Sequence, residues 1–182
     1  MPQSAIPLNP VMGVPGDQAF LDILSWPFAS APFYEAQVQR LLQNDVATRF
    51  TYGFASLWTY TEPNGGIVGF GTLDVCGEYS QLAGGKPHPY IPLLAVHPHC
   101  RGCGHGRRIV EHLIAESVLI AQHAAQVSDR LFLDVYKANL GAISLYTKSG
   151  FSILNQNSPQ FDPQENNEPY LIMAKQVAIA TP

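Results

Sequence analysis

Apolar positions change their spacing several times along the chain, and each change marks an element. Tyr34, Val38, Leu41, Leu42 and Val46 recur every three or four residues, which predicts a helix over Phe33–Val46, and Asp17–Leu24 reads the same way. From Phe50 to Thr61 the texture shifts to aromatic and β-branched residues. The turn sequence Glu62-Pro63-Asn64-Gly65-Gly66 follows, and Ile67–Val75 supplies a second arm, so a β-hairpin is expected here. Gly77–Pro89 reads as a loop, and the apolar run Tyr90–Val96 as one short buried strand. A glycine-rich stretch, Arg101–Gly106, opens a long helix reaching about Gln126. Ile109, Val110, Leu113, Ile114, Val118 and Ala121 form its apolar face, opposite Arg107, Arg108, Glu111, His112 and Glu116. Leu131–Val135 predicts a strand, Asn139–Ser149 a helix, Phe151–Leu154 a strand and Tyr170–Val177 a last strand after the polar loop Asn155–Glu168. The Pro-rich entry segment Met1–Gly16 leaves room for a short strand at Ala5–Leu8. This order implies an α/β protein with a mixed sheet, not a repeating doubly wound fold.

At 182 residues the chain reads as a single domain, 1–182, large enough to fold without a metal or disulfide staple. Ten basic against fourteen acidic residues give a net charge of −4, which argues against a nucleic-acid partner. No apolar run reaches the roughly 18 residues needed to span a bilayer, so no membrane role is expected. Three cysteines, and an N-terminal stretch without a charged region followed by an apolar one, give the expectation of a reducing, cytoplasmic setting.

The chemistry concentrates in Leu93–Gly106, where a strand runs through a loop with glycines at 102, 104 and 106 directly into a helix. Glycine permits positive φ and close backbone approach to a ligand. The free N–H groups of a helix's first turn then make a site for a phosphate or pyrophosphate. Arg101, Arg107 and Arg108 lie in or beside this loop. Such turns also merely connect strand to helix, and Arg107 is better placed to pair with Glu111 one turn on. The loop lacks Gly-Lys-Ser/Thr and the order Gly-x-Gly-x-x-Gly, which excludes a P-loop and a dinucleotide fingerprint.

Arg101-Gly-Cys-Gly-His-Gly106 resembles the Q/R-x-x-G-x-G/A motif of the GNAT superfamily of acyl-CoA N-acyltransferases. Leu133-Asp-Val-Tyr-Lys-Ala-Asn139 through Ala142, Leu145, Tyr146, Gly150 and Phe151 is similar to that family's second signature. The resemblance is clearest over Ile67–Phe151. It implies the GNAT fold, a twisted, mostly antiparallel sheet splayed between the family's fourth and fifth strands with helices on both faces. It also implies acetyl-CoA as co-substrate, no metal, and transfer of the acetyl group to a primary amine of a small molecule, peptide or protein. By the same resemblance, backbone groups of Leu94 and Val96 hold the pantetheine arm, and the Leu94 N–H polarises the thioester carbonyl. Arg101 and the amides of Gly102, Cys103, Gly104, His105 and Gly106 bind the pyrophosphate, Asn139 bonds the pantetheine region, and Tyr146 protonates the departing thiolate. On residue type alone, Tyr146 would be core and Asn139 a helix N-cap.

The general base is open. Several relatives carry a Glu in the strand before the loop, where this chain has Tyr90 and Pro92 and no acid between them. Asp134 is the first candidate, with Glu78, Tyr90 or a water chain as alternatives, and a solvated strand-edge acid as the bland reading of Asp134. His97, His99, Cys100, Cys103 and His105 crowd into nine positions with a Cys-x-x-Cys spacing, but no second ligand pair with metal spacing accompanies them. Two rivals to the enzyme reading follow: a non-catalytic acyl-CoA-binding module serving as sensor or scaffold, and a His/Cys metal-binding regulator. Asp162, Glu165 and Glu168 in a loop without a basic residue lean toward a cationic acceptor. Monomer and homodimer both remain open.

Overall fold

A computed structural model of the chain describes residues 8–12, 55–155, 160–162 and 168–177. The helices expected at Asp17–Leu24 and Phe33–Val46 lie outside the described residues.

The hairpin forms where the turn chemistry placed it. β2 (Ala55–Thr61) pairs antiparallel with β3 (Ile67–Cys76), and Gly65, at φ 85°, lets the turn close with its N–H donating to the Glu62 carbonyl. β1 (Asn9–Met12) pairs with β2 as an edge strand, a position that tolerates Pro10. The entry strand thus lies just beyond the expected Ala5–Leu8; Leu8 precedes it, and residues 5–7 fall outside the description.

The run Tyr90–Val96 is not one strand. It divides into β4 (His88–Ile91) and β5 (Leu94–Val96), because Pro92 brings no N–H and Leu93 turns both backbone groups onto Thr72. The Leu93 N–H donates to Thr72 Oγ1 at 3.0 Å, and the Thr72 N–H donates to the Leu93 carbonyl at 2.9 Å. β4 lies between β3 and β6 (Arg130–Tyr136), with β6 parallel to it through Tyr90↔Phe132 and Ile91↔Leu133. β5 pairs with β3 alone. The sheet therefore opens between β5 and the C-terminal half of β6, as the fold class requires.

Beyond β6, β9 (Glu168–Gln176) pairs antiparallel with it, and β7 (Ser152–Ile153) closes the order β1-β2-β3-β4-β6-β9-β7. The segment read as an unbroken polar loop contains β8 (Gln160–Asp162), held by backbone pairing to β9, which side-chain polarity does not reveal.

The long helix α1 spans His105–His123 and stops short of Gln126 because Ala124 leaves the helical region. Helix α2 spans Leu140–Lys148. Both pack on one face of the sheet: Ile109, Val110 and Leu113 of α1 and Tyr146 of α2 share a buried cluster with Leu131, Leu133, Val135, Leu171 and Met173. A Cβ at Gly71 would meet Leu113 and Ile109 atoms at 3.0–3.1 Å, so bare backbone in β3 is what lets α1 approach. His112, expected on the polar face, is half-buried instead. Its Nδ1 lies 2.9 Å from the Tyr60 hydroxyl, and its ring packs edge-on against Trp58. The opposite face of the sheet carries Tyr79, Phe132, Ile172 and Ala174, with Tyr90 and Tyr170 beside them.

Candidate functional site

Strand alternation decides what the sheet's opening offers. The Leu93 carbonyl and the His97 N–H both bond β3, at 2.9 and 2.8 Å, so the backbone groups of Leu94 and Val96 point the other way, into the opening. Their side chains share the face covered by the helices, through the register Gly71↔Leu94 and Gly69↔Val96. The Val96 carbonyl accepts a 3.3 Å bond from Arg101 Nε.

A groove of about 730 Å3 fills this opening. Its walls include Leu94, Ala95 and Val96 of β5, the loop residues Arg101, Gly102 and Gly104, and His105, Gly106 and Arg107 at the start of α1. Tyr136 closes it from β6, Asn139, Ala142 and Leu145 from α2, and Glu168 from β9. Gly104 is the N-cap of α1 and sits at φ 83°, as Gly102 does at φ 80°. That conformation needs glycine, and no heavy atom lies within 4 Å of where either Cβ would stand. No side chain caps α1, so its first N–H groups and the positive end of its dipole meet the groove. Gly106 has a different role: its Cβ would stand 3.3 Å from Leu145 and 3.5 Å from Val96, so glycine brings α1, α2 and β5 together.

Most of the sequence-derived cofactor residues thus meet in one groove. Cys103 and Tyr146 are not among its lining residues. Cys103 is exposed, with its thiol on the Arg101 carbonyl. Tyr146 is only 8% exposed, its ring edge-on to Phe151 in the core, immediately after the groove-lining Leu145. Asn139 lines the groove and is also the N-cap of α2, its Oδ1 accepting from the Ala142 N–H at 3.1 Å. Arg107 pairs with Glu111 at 2.8 Å, as its spacing indicated, while still bordering the groove. Tyr136 escaped the sequence reading as a lining residue, and Glu168 entered it only as one acid of the loop Asn155–Glu168. Strand alternation put Tyr136 on the same face as Asp134, but nothing local brought β9 beside it.

On the face of the sheet opposite α1 and α2, three candidates for the base converge. Asp134 Oδ1 accepts from the Tyr79 hydroxyl at 2.6 Å and Oδ2 accepts from the Tyr90 hydroxyl at 2.7 Å. Burial first, then the Asp134 charge, pushes both phenols well above their ordinary range, so both stay protonated donors. Partial burial and then the same charge raise Glu78. Behind them His88 is fully buried, its Nε2 3.5 Å from the Cys76 thiol. Burial holds His88 below its usual range and pushes Cys76 up to about 11, so this pair is neutral at ordinary pH.

The His/Cys cluster of the loop disperses. His97 Nδ1 accepts from the His99 N–H, and His105 lies 3.5 Å from Glu62. Among the described residues no three His, Cys, Asp or Glu side chains form a metal-ligand group. No helix among them is long and apolar enough to cross a membrane.

The model of the acetyltransferase (GNAT) family matches residues 18–151. The chain belongs to the GNAT acetyltransferase family. Solved structures carry the fold of this acetyltransferase at low identity. A putative acyl-CoA N-acyltransferase from Klebsiella pneumoniae is 18% identical, covering 94% of this chain and 98% of its own, with a TM-score of 0.62. The ribosomal-protein-S18-alanine N-acetyltransferase from Escherichia coli is 19% identical over 96% and 97%, with a TM-score of 0.59. A spermidine N-acetyltransferase chimera from Vibrio cholerae and a second source is 15% identical over 93% and 95%, with a TM-score of 0.63. No curated protein matches the sequence.

Proposed function

We propose that this GNAT acetyltransferase transfers the acetyl group of acetyl-CoA to a primary amine by direct attack on the thioester. The observation that carries the reading is the open edge of β5 beside the uncapped start of α1 in a single groove. Pantetheine amides add to Leu94 and Val96 as a strand would, and the pyrophosphate takes the α1 amides with Arg101. The Leu94 N–H donates to the thioester oxygen, where negative charge grows during attack. The amine arrives from the face opposite α1 and α2, since those helices cover the other. It must lose a proton, and Asp134 receives it through the phenol of Tyr79 or Tyr90, each of which passes its own proton to the carboxylate as it takes the new one. Tyr146 supplies a proton to the departing thiolate. The named neighbours acetylate a ribosomal-protein alanine and spermidine, and both are amines.

Thiol release from acetyl-CoA across a panel of amines, amino acids, antibiotics and N-terminal peptides tests this. Turnover with at least one amine is the expected result. Tight acetyl-CoA binding with no turnover on any amine would favour the sensor or scaffold reading, which the core position of Tyr146 supports. Asp134→Asn is expected to cut turnover about 10²-fold or more below the acceptor's pKa, where the amine is still protonated, with acetyl-CoA affinity unchanged. An unaltered pH–rate profile would move the base elsewhere.

A further inference from the structure

We propose that Cys100 and Cys103 form a site of reversible oxidation, where a peroxide joins them in a disulfide that opposes binding of an acyl donor in the groove. Only the opposition rests on the reading of the groove as the acyl-donor site. The backbone between the two thiols carries the argument. Arg101 has φ −69° and ψ 154°, and Gly102 follows at φ 80°. Cys100-Arg101-Gly102-Cys103 is therefore a type II β-turn, with glycine at the position where that turn needs it. The first and last Cα atoms of a β-turn lie within about 7 Å, and disulfides span about 4.4–6.8 Å. The two cysteines thus stand at corners that a disulfide bridges without rebuilding the chain. Both corners are held. The Cys100 N–H donates to the His97 carbonyl at 2.8 Å and its side chain packs against the core, while Gly104, next to Cys103, caps α1.

The two thiols have different parts. Cys103 is exposed, its thiol 3.7 Å from the Arg101 carbonyl, and it meets an oxidant first. Cys100 is half-buried in the groove wall. Burial first, then the charges of Glu62 and Cys103, hold its thiol above the ordinary range, so it waits as the protonated partner. The Cys103 thiolate attacks one peroxide oxygen, the O–O bond breaks, and the departing hydroxide takes up the thiol proton as water, leaving a sulfenic acid. The Cys100 sulfur then attacks the Cys103 sulfur, the S–O bond breaks, and hydroxide leaves with the Cys100 proton as a second water. Two electrons pass from the thiols to the peroxide. A bridge closing four residues removes little freedom from the unfolded chain, so it is a labile link and not a structural staple. The donor enters because Cys100 lines the groove, and a molecule lying there covers the sulfur that must attack. A donor that binds the dithiol form better must, by linkage, bind the disulfide form less tightly.

The test treats wild type and Cys76→Ser with hydrogen peroxide, with and without acetyl-CoA, and reads intact mass, free thiols and linked peptides. Wild type is expected to fall from three free thiols to one, with Cys100 joined to Cys103 within one chain and both released by dithiothreitol. Cys76→Ser should form the same link. Saturating acetyl-CoA should slow its formation about tenfold, and calorimetry should show acetyl-CoA binding the oxidised protein about tenfold less tightly. Cys100→Ser should stop at a Cys103 sulfenic acid, which dimedone captures. Oxidation of Cys103 to sulfinic acid with no disulfide, or links only between chains, overturns the proposal. So does a disulfide that forms at the same rate with acetyl-CoA present and leaves its affinity unchanged. If acetyl-CoA does not bind the reduced protein, the donor reading fails, and the thiol count still decides the disulfide.

Discussion

Tyr146→Phe is expected to lower turnover about 10²–10⁴-fold while acetyl-CoA binds with close to wild-type affinity. The substitution removes one hydroxyl and keeps the ring that packs edge-on to Phe151, so the fold should tolerate it. A phenol near pKa 10 gives a departing thiolate near 8.5 a modest assistance, and water standing in for part of it sets the lower limit. The readout is steady-state kinetics with one confirmed acceptor beside a calorimetric titration of coenzyme A. Wild-type turnover in the variant would assign Tyr146 to packing, the role that its 8% exposure suggests on its own. Loss of coenzyme A binding would make it a ligand contact and remove it from the acid step.

Gly104→Asp is expected to abolish the stabilisation that acetyl-CoA gives the wild type. That gain should be about 2.7 kcal/mol at a hundred times the dissociation constant, because the ligand binds only the folded state. Two effects combine at this position. A non-glycine residue at φ 83° costs about 1–2 kcal/mol in the left-handed region, and the carboxylate would occupy space facing the helix start where an anion is to lie. Gly104→Ala separates them, since it carries the backbone strain without the charge. If the alanine variant still shifts in melting temperature with acetyl-CoA and the aspartate variant does not, charge against the phosphates is the cause. An aspartate variant stabilised as much as wild type would place the pyrophosphate elsewhere.

Local chemistry made much of this molecule legible from its residues. The Asn64-Gly65-Gly66 turn, the period of Ile109, Val110 and Leu113, and the glycine loop running into α1 each act within a few residues, and each appears where it was expected. The break at Pro92–Leu93 was less visible because an apolar run reads alike whether or not its backbone stays in the ladder. What splits it is Thr72, twenty-one residues upstream in Leu93's partner strand. Likewise β8 exists through pairing with β9 and not through its own pattern. In the candidate site, the β5 backbone and the loop glycines line one groove in the order in which the motif sets them. The Asp134–Tyr79–Tyr90 cluster did not come through as a unit, since its members come from three segments up to 55 residues apart. Asp134 and Tyr90 were visible singly and the parallel pairing of β4 with β6 brings them together, while Tyr79, from the segment before β4, was not singled out.

The alternation along β5 also governs how much substitution the proposed acyl-donor site can absorb. Leu94 and Val96 offer the opening their main chain while their side chains contribute to packing under the helices. Recognition through amide and carbonyl groups is blind to which apolar residue stands there, so the two positions are free to exchange among side chains of similar volume. Intolerance to change is confined to the places where any side chain at all intrudes: the left-handed Gly102 and Gly104, and Gly106 wedged against Leu145 and Val96. A donor site built this way can persist through extensive sequence drift, leaving the acceptor face, which is made of side chains, as the part that diversifies.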